Sequence, residues 1–247
     1  MNAVACLPEK QCDNRGCNRA VPPMIAKLLL QNTVFVIAMA ALLFGFAGML
    51  HWPGAWTYLV ASAVIGPACG FWLARVDPGL LAERMRLTAR EGQPAADKRF
   101  VLVFVVVAVL WFVAMGLDRR FDGADAGVPL IVLGLALYLL STVLVLWVFR
   151  TNSFAAPVVK VQTERDHHVI SSGPYALVRH PMYTSVMLFF IAVPTMLGSW
   201  WGLAFVPVFF VMFAIRTRIE EHTLVAGLSG YADYAARVRY RLVPGLW

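Results

Sequence analysis

Two groups of residues in this chain have the side-chain chemistry of a site. The first is His167-His168-Val169-Ile170-Ser171-Ser172-Gly173-Pro174-Tyr175, followed by Arg179-His180-Pro181-Met182-Tyr183, and it holds three of the five histidines. The second is Arg216-Thr217-Arg218-Ile219-Glu220-Glu221-His222, which follows 34 residues without a charge, Met182–Ile215. Imidazoles exchange protons near neutral pH. A guanidinium can hold an anion through paired hydrogen bonds. On a helix, Arg216 and Glu220 share a face. Taken singly, each has a plain structural reading. Arg216 and Glu220 could be a surface ion pair worth ~0.3–0.5 kcal/mol. Arg179 could anchor a headgroup, and His180 beside Pro181 could be structural. The first run could also be a hinge. Gly173-Pro174 is turn chemistry, and Pro181 suits the first turn of a helix.

The elements that must position these residues are membrane helices. The 247 residues are 60% hydrophobic and only 14% charged, with mean hydropathy +0.70. Soluble domains are about 25% charged. Net charge is +7. In a soluble protein that would suggest nucleic acid. Here the basic residues flank apolar runs and read as topology charge, with no nucleic-acid partner. The pattern predicts spans over Leu28–Leu50, Ala55–Ala74, Phe100–Leu117 and Pro129–Phe149, each near the ~20 residues a crossing needs. A single helix over Met182–Ile215 would be about 50 Å long against a core of ~30 Å. Gly198-Ser199-Trp200-Trp201-Gly202 predicts a break into two short antiparallel helices.

The expected fold is an all-α integral membrane protein of about six transmembrane helices, the last two a short hairpin. Residues 1–27 read as a cytoplasmic tail, since the first apolar run is too late and too long for a cleaved signal peptide. Residues 75–99 read as a charged loop, with Gly79–Arg90 either a short amphipathic helix on the membrane surface or solvated chain. Asp118–Gly127 reads as a short polar loop. Residues 216–247 read as a charged tail, basic enough over Tyr231–Arg241 to lie on anionic lipid. With both termini inside, 19 of the 21 Lys and Arg residues fall on the cytoplasmic side and only Arg119 and Arg120 outside. That asymmetry sets the orientation. It also puts 167–183 and 216–247 on one side, able to meet. The cysteines, Cys6, Cys12, Cys17 and Cys69, lack metal-ligand spacing and read as free thiols, Cys69 as a packed small hydrophobe.

No G-x-G-x-x-G after a strand, P-loop, H-E-x-x-H or G-x-S-x-G occurs. A Rossmann domain has no room. The order of parts is nevertheless specific: Gly173-Pro174-Tyr175, then Arg179-His180-Pro181-x-Tyr183, a helical hairpin, Arg216-x-x-x-Glu220-Glu221-x-x-Leu224, then Tyr231-x-x-Tyr234. This resembles the isoprenylcysteine carboxyl methyltransferase family and its membrane phospholipid methyltransferase relatives. The likeness covers about residues 150–247, with a weaker match at Asp77-Pro78…Glu83-Arg84-Met85.

The resemblance implies an integral membrane methyltransferase using S-adenosylmethionine, with a cytoplasmic cofactor pocket built by the C-terminal half. It implies three regions: tail 1–27, a four-span region 28–149, and a methyltransferase core 150–247. By position in the motif, cofactor contacts fall on His167, His168, Val169, Ile170, Tyr175, His180, Pro181, Tyr183 and Glu220. Lys160 stands where prenylcysteine enzymes have a cofactor-contacting Gln. Arg216 matches the Arg that positions the substrate. The acceptor implied is a lipophilic small molecule or lipid-modified substrate in contact with membrane lipids. Carboxyl O-methylation leads, with lipid N- or thiol S-methylation also open. An amine acceptor would want a base, for which His167 and His168 are candidates. No metal is implied. A bacterial inner membrane is the expected location. Two other classes stay open: an NADPH-dependent membrane sterol-type reductase, which would want clustered cations where Glu220-Glu221 stand, and a transporter or scaffold, which would want charge within a span.

Overall fold

Long apolar runs punctuated by proline and glycine should fold as helices. The computed structural model of the chain is helical, with no strand among its described residues, 14–85, 95–121, 123, 126–157, 159, 162 and 165–247. Helices α1 (Asn14–Ala47), α2 (Pro53–Val76), α4 (Ala95–Phe121) and α5 (Gly127–Thr151) carry the four predicted spans within wider bounds, except that α1 stops at Ala47. Then α6 (Pro181–Leu197), α7 (Trp200–Ala204) and α8 (Val206–Gly227) form the predicted hairpin. Two short helices, α3 (Pro78–Arg84) and α9 (Tyr231–Arg237), sit between and after them. Among the described residues, five segments are long and apolar enough to cross a membrane: Met24–Ala47, Pro53–Val76, Ala95–Phe121, Gly127–Thr151 and Trp200–Gly227. Pro181–Leu197 is apolar but shorter, at 17 residues. At 1.5 Å per residue it reaches about 26 Å. Cys6, Cys12 and Lys160 lie outside the described residues, as do Arg86 and Arg90.

The break in the hairpin has a local cause. Gly198 ends α6 in the left-handed region, at φ 71°. Ser199 then caps α7, accepting from the Gly202 N–H at 3.0 Å. The Ser199 hydroxyl donates to Asp118, which also accepts the Trp201 N–H at 3.0 Å. Asp118 and Arg119 therefore close the end of α4 rather than open a loop, a correction to the polar loop expected from Asp118 onward. Trp111 of α4 donates from Nε1 to the Gly202 carbonyl at 2.9 Å. The stacked Phe190 and Phe209 rings, 3.7 Å apart, each meet Trp111 edge-on at 5.3 Å. The hairpin is thus locked to α4.

Helices α5 and α6 approach closely at small residues, as membrane helices do. A Cβ on Gly134 would lie 2.4 Å from the Met196 backbone nitrogen. Ser141 and Ser185 exchange hydroxyl-to-carbonyl hydrogen bonds of 2.9 and 2.8 Å.

The charged segments between and after the spans are more built than charge alone suggested. Within 75–99, Asp77 caps α3 by accepting the Leu80 N–H at 2.8 Å. Leu80 and Leu81 are buried against Leu73, Val148 and Phe149, so the apolar face of α3 packs on protein and not on lipid. Asp97 belongs to the first turn of α4 and is fully buried. The expected tail is also folded: α8 runs to Gly227, and the chain after α9 returns to the first motif. The Arg179 and His180 amides donate to the Tyr240 and Arg241 carbonyls, both at 2.9 Å. Thr184 donates to the Leu242 carbonyl at 2.6 Å, and Leu242 is fully buried.

The α5–α6 contact gives a direct test. Gly134→Ala should destabilise the protein in detergent by about 1–3 kcal/mol, the usual cost of overpacking. Gly45→Ala, where nothing lies within 4 Å of a built Cβ, should leave the thermal midpoint unchanged or slightly raised. Equal midpoints for both variants would contradict the close approach.

Candidate functional site

The two motifs meet. Pro181 starts α6, so His180 precedes the helix and Tyr183 falls in its first turn. Glu220 and Glu221 lie near the end of α8, facing this turn. His180 Nδ1 is 3.6 Å from Glu220 Oε2, and Nε2 is 3.3 Å from Glu221 Oε1. A ring with a carboxylate against each nitrogen is best satisfied as imidazolium, where both nitrogens donate. Burial alone would depress the His180 pKa, but the hydrogen bonds to Glu220 and Glu221 outweigh it and raise the pKa above its ordinary value. Tyr183 donates its hydroxyl to Glu220, and its ring lies parallel to that of His180 at 5.5 Å.

Glu221 is the structural half of the acidic pair. It takes Arg179 Nε at 2.7 Å and Arg241 Nε at 2.9 Å besides His180. It joins α8, the first motif and the returning C-terminal segment. Glu220 is the more open half, with 26% of its side chain exposed against 14% for Glu221. That exposure is into a cleft.

The cleft encloses about 750 Å³ of empty space including its mouth. One wall is the extended run His167, His168, Val169 and Ile170 with Phe154. The other is Glu220 and Leu224 of α8, with Leu228, Tyr231 and Tyr234; Tyr175, His180 and Tyr183 line it between them. Of the ten predicted cofactor contacts, eight line this one cleft. Pro181 does not; it is buried as the first residue of α6. Lys160 lies outside the described residues.

Arg216 does not line the cleft either. The i,i+4 partnership with Glu220 is replaced by a pair with Asp97 on α4, Nη2 to Oδ1 at 3.3 Å. Arg216 Nη2 also donates to the Pro157 carbonyl at 2.6 Å. Its guanidinium lies 4.8 Å from the Phe100 ring centre and 5.8 Å from that of Tyr183. Helical side chains lean toward the N-terminus, which takes Arg216 away from Glu220 and toward the start of α4. Arg216 thus sits directly behind Tyr183, and its Nε is buried without a hydrogen-bond partner.

Several residues of the site carry no signal in the sequence. Phe154 stacks on His167 at 4.4 Å and meets His168 edge-on at 5.2 Å. Gln162, 1% exposed, donates to the Phe154 carbonyl at 2.8 Å, and its amide donates to His167 Nδ1 at 3.3 Å. That bond occupies the Nδ1 lone pair of His167. His168 is poised differently: Nδ1 lies 3.0 Å from the Asp166 carbonyl, so it carries the proton and leaves the basic lone pair on Nε2. Asn152 links α5 to Tyr175 through Nδ2 at 2.8 Å. Tyr234 donates to the Tyr175 carbonyl at 2.8 Å. Burial pushes the Tyr175 and Tyr231 phenols well up, and that of Tyr234 up to about 12. All three stay neutral donors near neutral pH.

Several known proteins are similar to this chain. The phospholipid methyltransferase family model matches residues 129–228. Protein-S-isoprenylcysteine O-methyltransferase B of Arabidopsis thaliana is 26% identical over 149 residues, 58% of this chain and 72% of that protein. The cobalt-zinc-cadmium resistance protein CzcN of Cupriavidus metallidurans is 28% identical over 143 residues, 56% of this chain and 58% of that protein. The match therefore spans little more than half of the latter's length. The solved structure of a eukaryotic intramembrane Ras methyltransferase, isoprenylcysteine carboxyl methyltransferase, has the same fold, with TM-score 0.61 at 20% identity over 87% of this chain and 75% of that one. The chain is similar to isoprenylcysteine carboxyl methyltransferases and, over residues 129–228, to phospholipid methyltransferases. The resemblance and the all-helical membrane fold read from the sequence are both borne out.

The His180 network makes stability depend on pH. A histidine whose pKa is raised on folding contributes fully below its unfolded value, about 6.5, and loses that contribution as pH rises through the folded value. The groups facing it are Glu220, Glu221, Arg179 and the Tyr183 ring. The gap in thermal midpoint between the native chain and His180→Asn should therefore be widest near pH 6 and shrink toward pH 9. A gap independent of pH would show that His180 is not charged in the fold.

Proposed function

We propose that this chain is an integral membrane methyltransferase that binds S-adenosylmethionine in the cleft and methylates a lipophilic, membrane-associated acceptor. The observation that carries the reading is the convergence of eight predicted contacts, from three separated sequence segments, on one cleft. The cleft suits the donor chemically. Phe154 and the imidazole stacked on it offer flat apolar surface for a purine. Glu220 and the rings of Tyr175 and Tyr183 offer negative charge and π faces to a cationic sulfonium. The same carboxylate opposes the 2′-phosphate that an NADPH site must hold.

Bound S-adenosylmethionine would supply an electrophilic methyl: the acceptor's lone pair forms the new bond while the C–S pair passes to sulfur, which leaves as a neutral thioether. The protein's part is then mainly positioning. His180 and Tyr183 hold Glu220 in place. Tyr234 and Asn152 hold Tyr175. Arg216 is the residue for an anionic acceptor, because its buried Nε has a donor to offer and Asp97 fixes the rest of the guanidinium. That favours a carboxylate acceptor, in keeping with the name of the plant relative. An amine acceptor would use His168 Nε2 as base. From the distribution of basic residues the reading places both termini on the cytoplasmic side, with a methyltransferase core over 150–247 and a bacterial inner membrane as its setting.

Glu220→Gln should weaken S-adenosylmethionine binding about tenfold, the size of one charge-assisted contact, measured by calorimetry on purified protein. Unchanged affinity would remove Glu220 from the donor site. Arg216→Lys keeps a cation opposite Asp97, and should cut acceptor kcat/KM while leaving donor affinity within about twofold. A loss of donor affinity instead would reject the acceptor role.

A further inference from the structure

One hydroxyl in the cleft has nothing to bind. Tyr231 lines the wall across from Phe154 and His167 and is only 5% exposed. Its phenol oxygen is buried with no hydrogen-bond partner among the described residues. Tyr234, three residues on and on the same face of α9, is the contrast. The two rings stand 5.7 Å apart, yet the Tyr234 hydroxyl is already given to the Tyr175 carbonyl. A buried hydroxyl left unpaired costs stability. Phenylalanine at 231 would fill the same space without that cost.

The local fold puts Tyr231 there. Gly230 turns the chain into α9 from the left-handed region, at φ 80°. Tyr231 then joins Leu228 and Tyr234 in a cluster packed against Leu224 and Val169. Leu224 is one turn from Glu220 on α8. Burial first, and then the carboxylates of Glu221 and Glu220, push the Tyr231 pKa up, with Arg179 opposing them. The phenol therefore keeps its proton and lies within the field of those three charges. Arg179, Arg241 and His180 face the two carboxylates, so with His180 as imidazolium the cluster carries one cation in excess. Arg179 also runs along α9, its Nη1 donating to the Ala235 carbonyl at 3.0 Å, four residues after Tyr231. A neutral donor in this setting suits an anion, and the open edge of Glu220 beside it suits a cation. The two charges of an α-amino acid, one carbon apart, satisfy both.

We propose that the Tyr231 hydroxyl donates to the α-carboxylate of the bound methyl donor, so that Tyr231 and Glu220 together read the donor's zwitterionic end. This rests on reading the cleft as the methyl-donor site. With the purine against Phe154 and His167, the amino-acid arm leaves the sulfur toward the wall that holds Tyr231. Tyr231 is then a specificity determinant: a sulfonium or thioether lacking the carboxylate fits the cleft and lacks the contact.

Binding tests this without any catalysis. The full chain in phosphatidylcholine nanodiscs is titrated by calorimetry with S-adenosylhomocysteine and with its decarboxylated analogue, which keeps the purine, ribose, sulfur and ammonium. The native chain should bind S-adenosylhomocysteine about tenfold tighter than the analogue, the size of one hydrogen bond to a charged group. Tyr231→Phe should lose most of that preference while holding the analogue within about twofold of the native affinity. Tyr234→Phe, which releases Tyr175, should weaken both ligands alike. Without ligand, the thermal midpoint of Tyr231→Phe should equal or exceed the native one, because no partner is orphaned. With saturating S-adenosylhomocysteine it should fall below. Equal weakening of both ligands by Tyr231→Phe, an unchanged preference, or a lower midpoint without ligand overturns the proposal. Native binding of both ligands with equal affinity defeats the carboxylate contact alone. Binding of neither defeats the donor reading of the cleft and this contact with it.

Discussion

Two adjacent carboxylates toward the C-terminal end of α8 must be kept charged where water is scarce, and much of the polar structure around them is arranged to satisfy them. Taking a carboxylate out of water costs several kcal/mol unless partners replace the lost hydration. Glu221 meets this with Arg179, His180 and Arg241. Glu220 meets it with His180 and Tyr183. These partners come from the first motif, the start of α6 and the returning C-terminal segment. Satisfying the pair therefore fixes the arrangement of all three. The two carboxylates are not equivalent. Glu221 is consumed by structure, whereas Glu220 keeps an edge open to the cleft.

The membrane half of the molecule serves this arrangement by being rigid. Small residues let α5 and α6 approach to backbone contact. Asp118 and Ser199 fix the turn of the hairpin at the far end. Trp111 and the phenylalanine stack tie the hairpin to α4. The first turn of α6 and the last turns of α8 are thereby held at a set distance, with Tyr183 between them. Arg216 and Asp97 extend the same logic one layer deeper. Their buried pair joins α8 to α4, and its contacts to Pro157 and Val159 set the segment that leads into the cleft wall.

The fold was largely legible because apolar runs long enough to cross a membrane leave few alternatives. The hairpin break was legible for the same reason, as length forbids one helix. The candidate site was legible where spacing put charge beside apolar sequence: His180, Tyr183 and Glu220, from separate segments, line one cleft. What escaped was set by tertiary contact. Asp97 looked like one more loop charge, yet it is the partner of Arg216. Nothing in the composition of Phe154 or Gln162 tells that they would brace His167. The C-terminal segment read as a basic lipid-facing arm because its pairing with Arg179 and His180 uses backbone groups, which leave no mark on residue type. In 75–99, charge concealed Leu80 and Leu81, whose burial converts a surface helix into a packed one.

The central claim is that the cleft between the two motifs holds the methyl donor, with Glu220 at its open edge. A structure of the full chain determined with S-adenosylhomocysteine bound tests it most directly. The account requires the purine against the Phe154–His167 stack and a polar group of the ligand within hydrogen-bond distance of Glu220. Ligand density elsewhere, with this cleft empty, would contradict it.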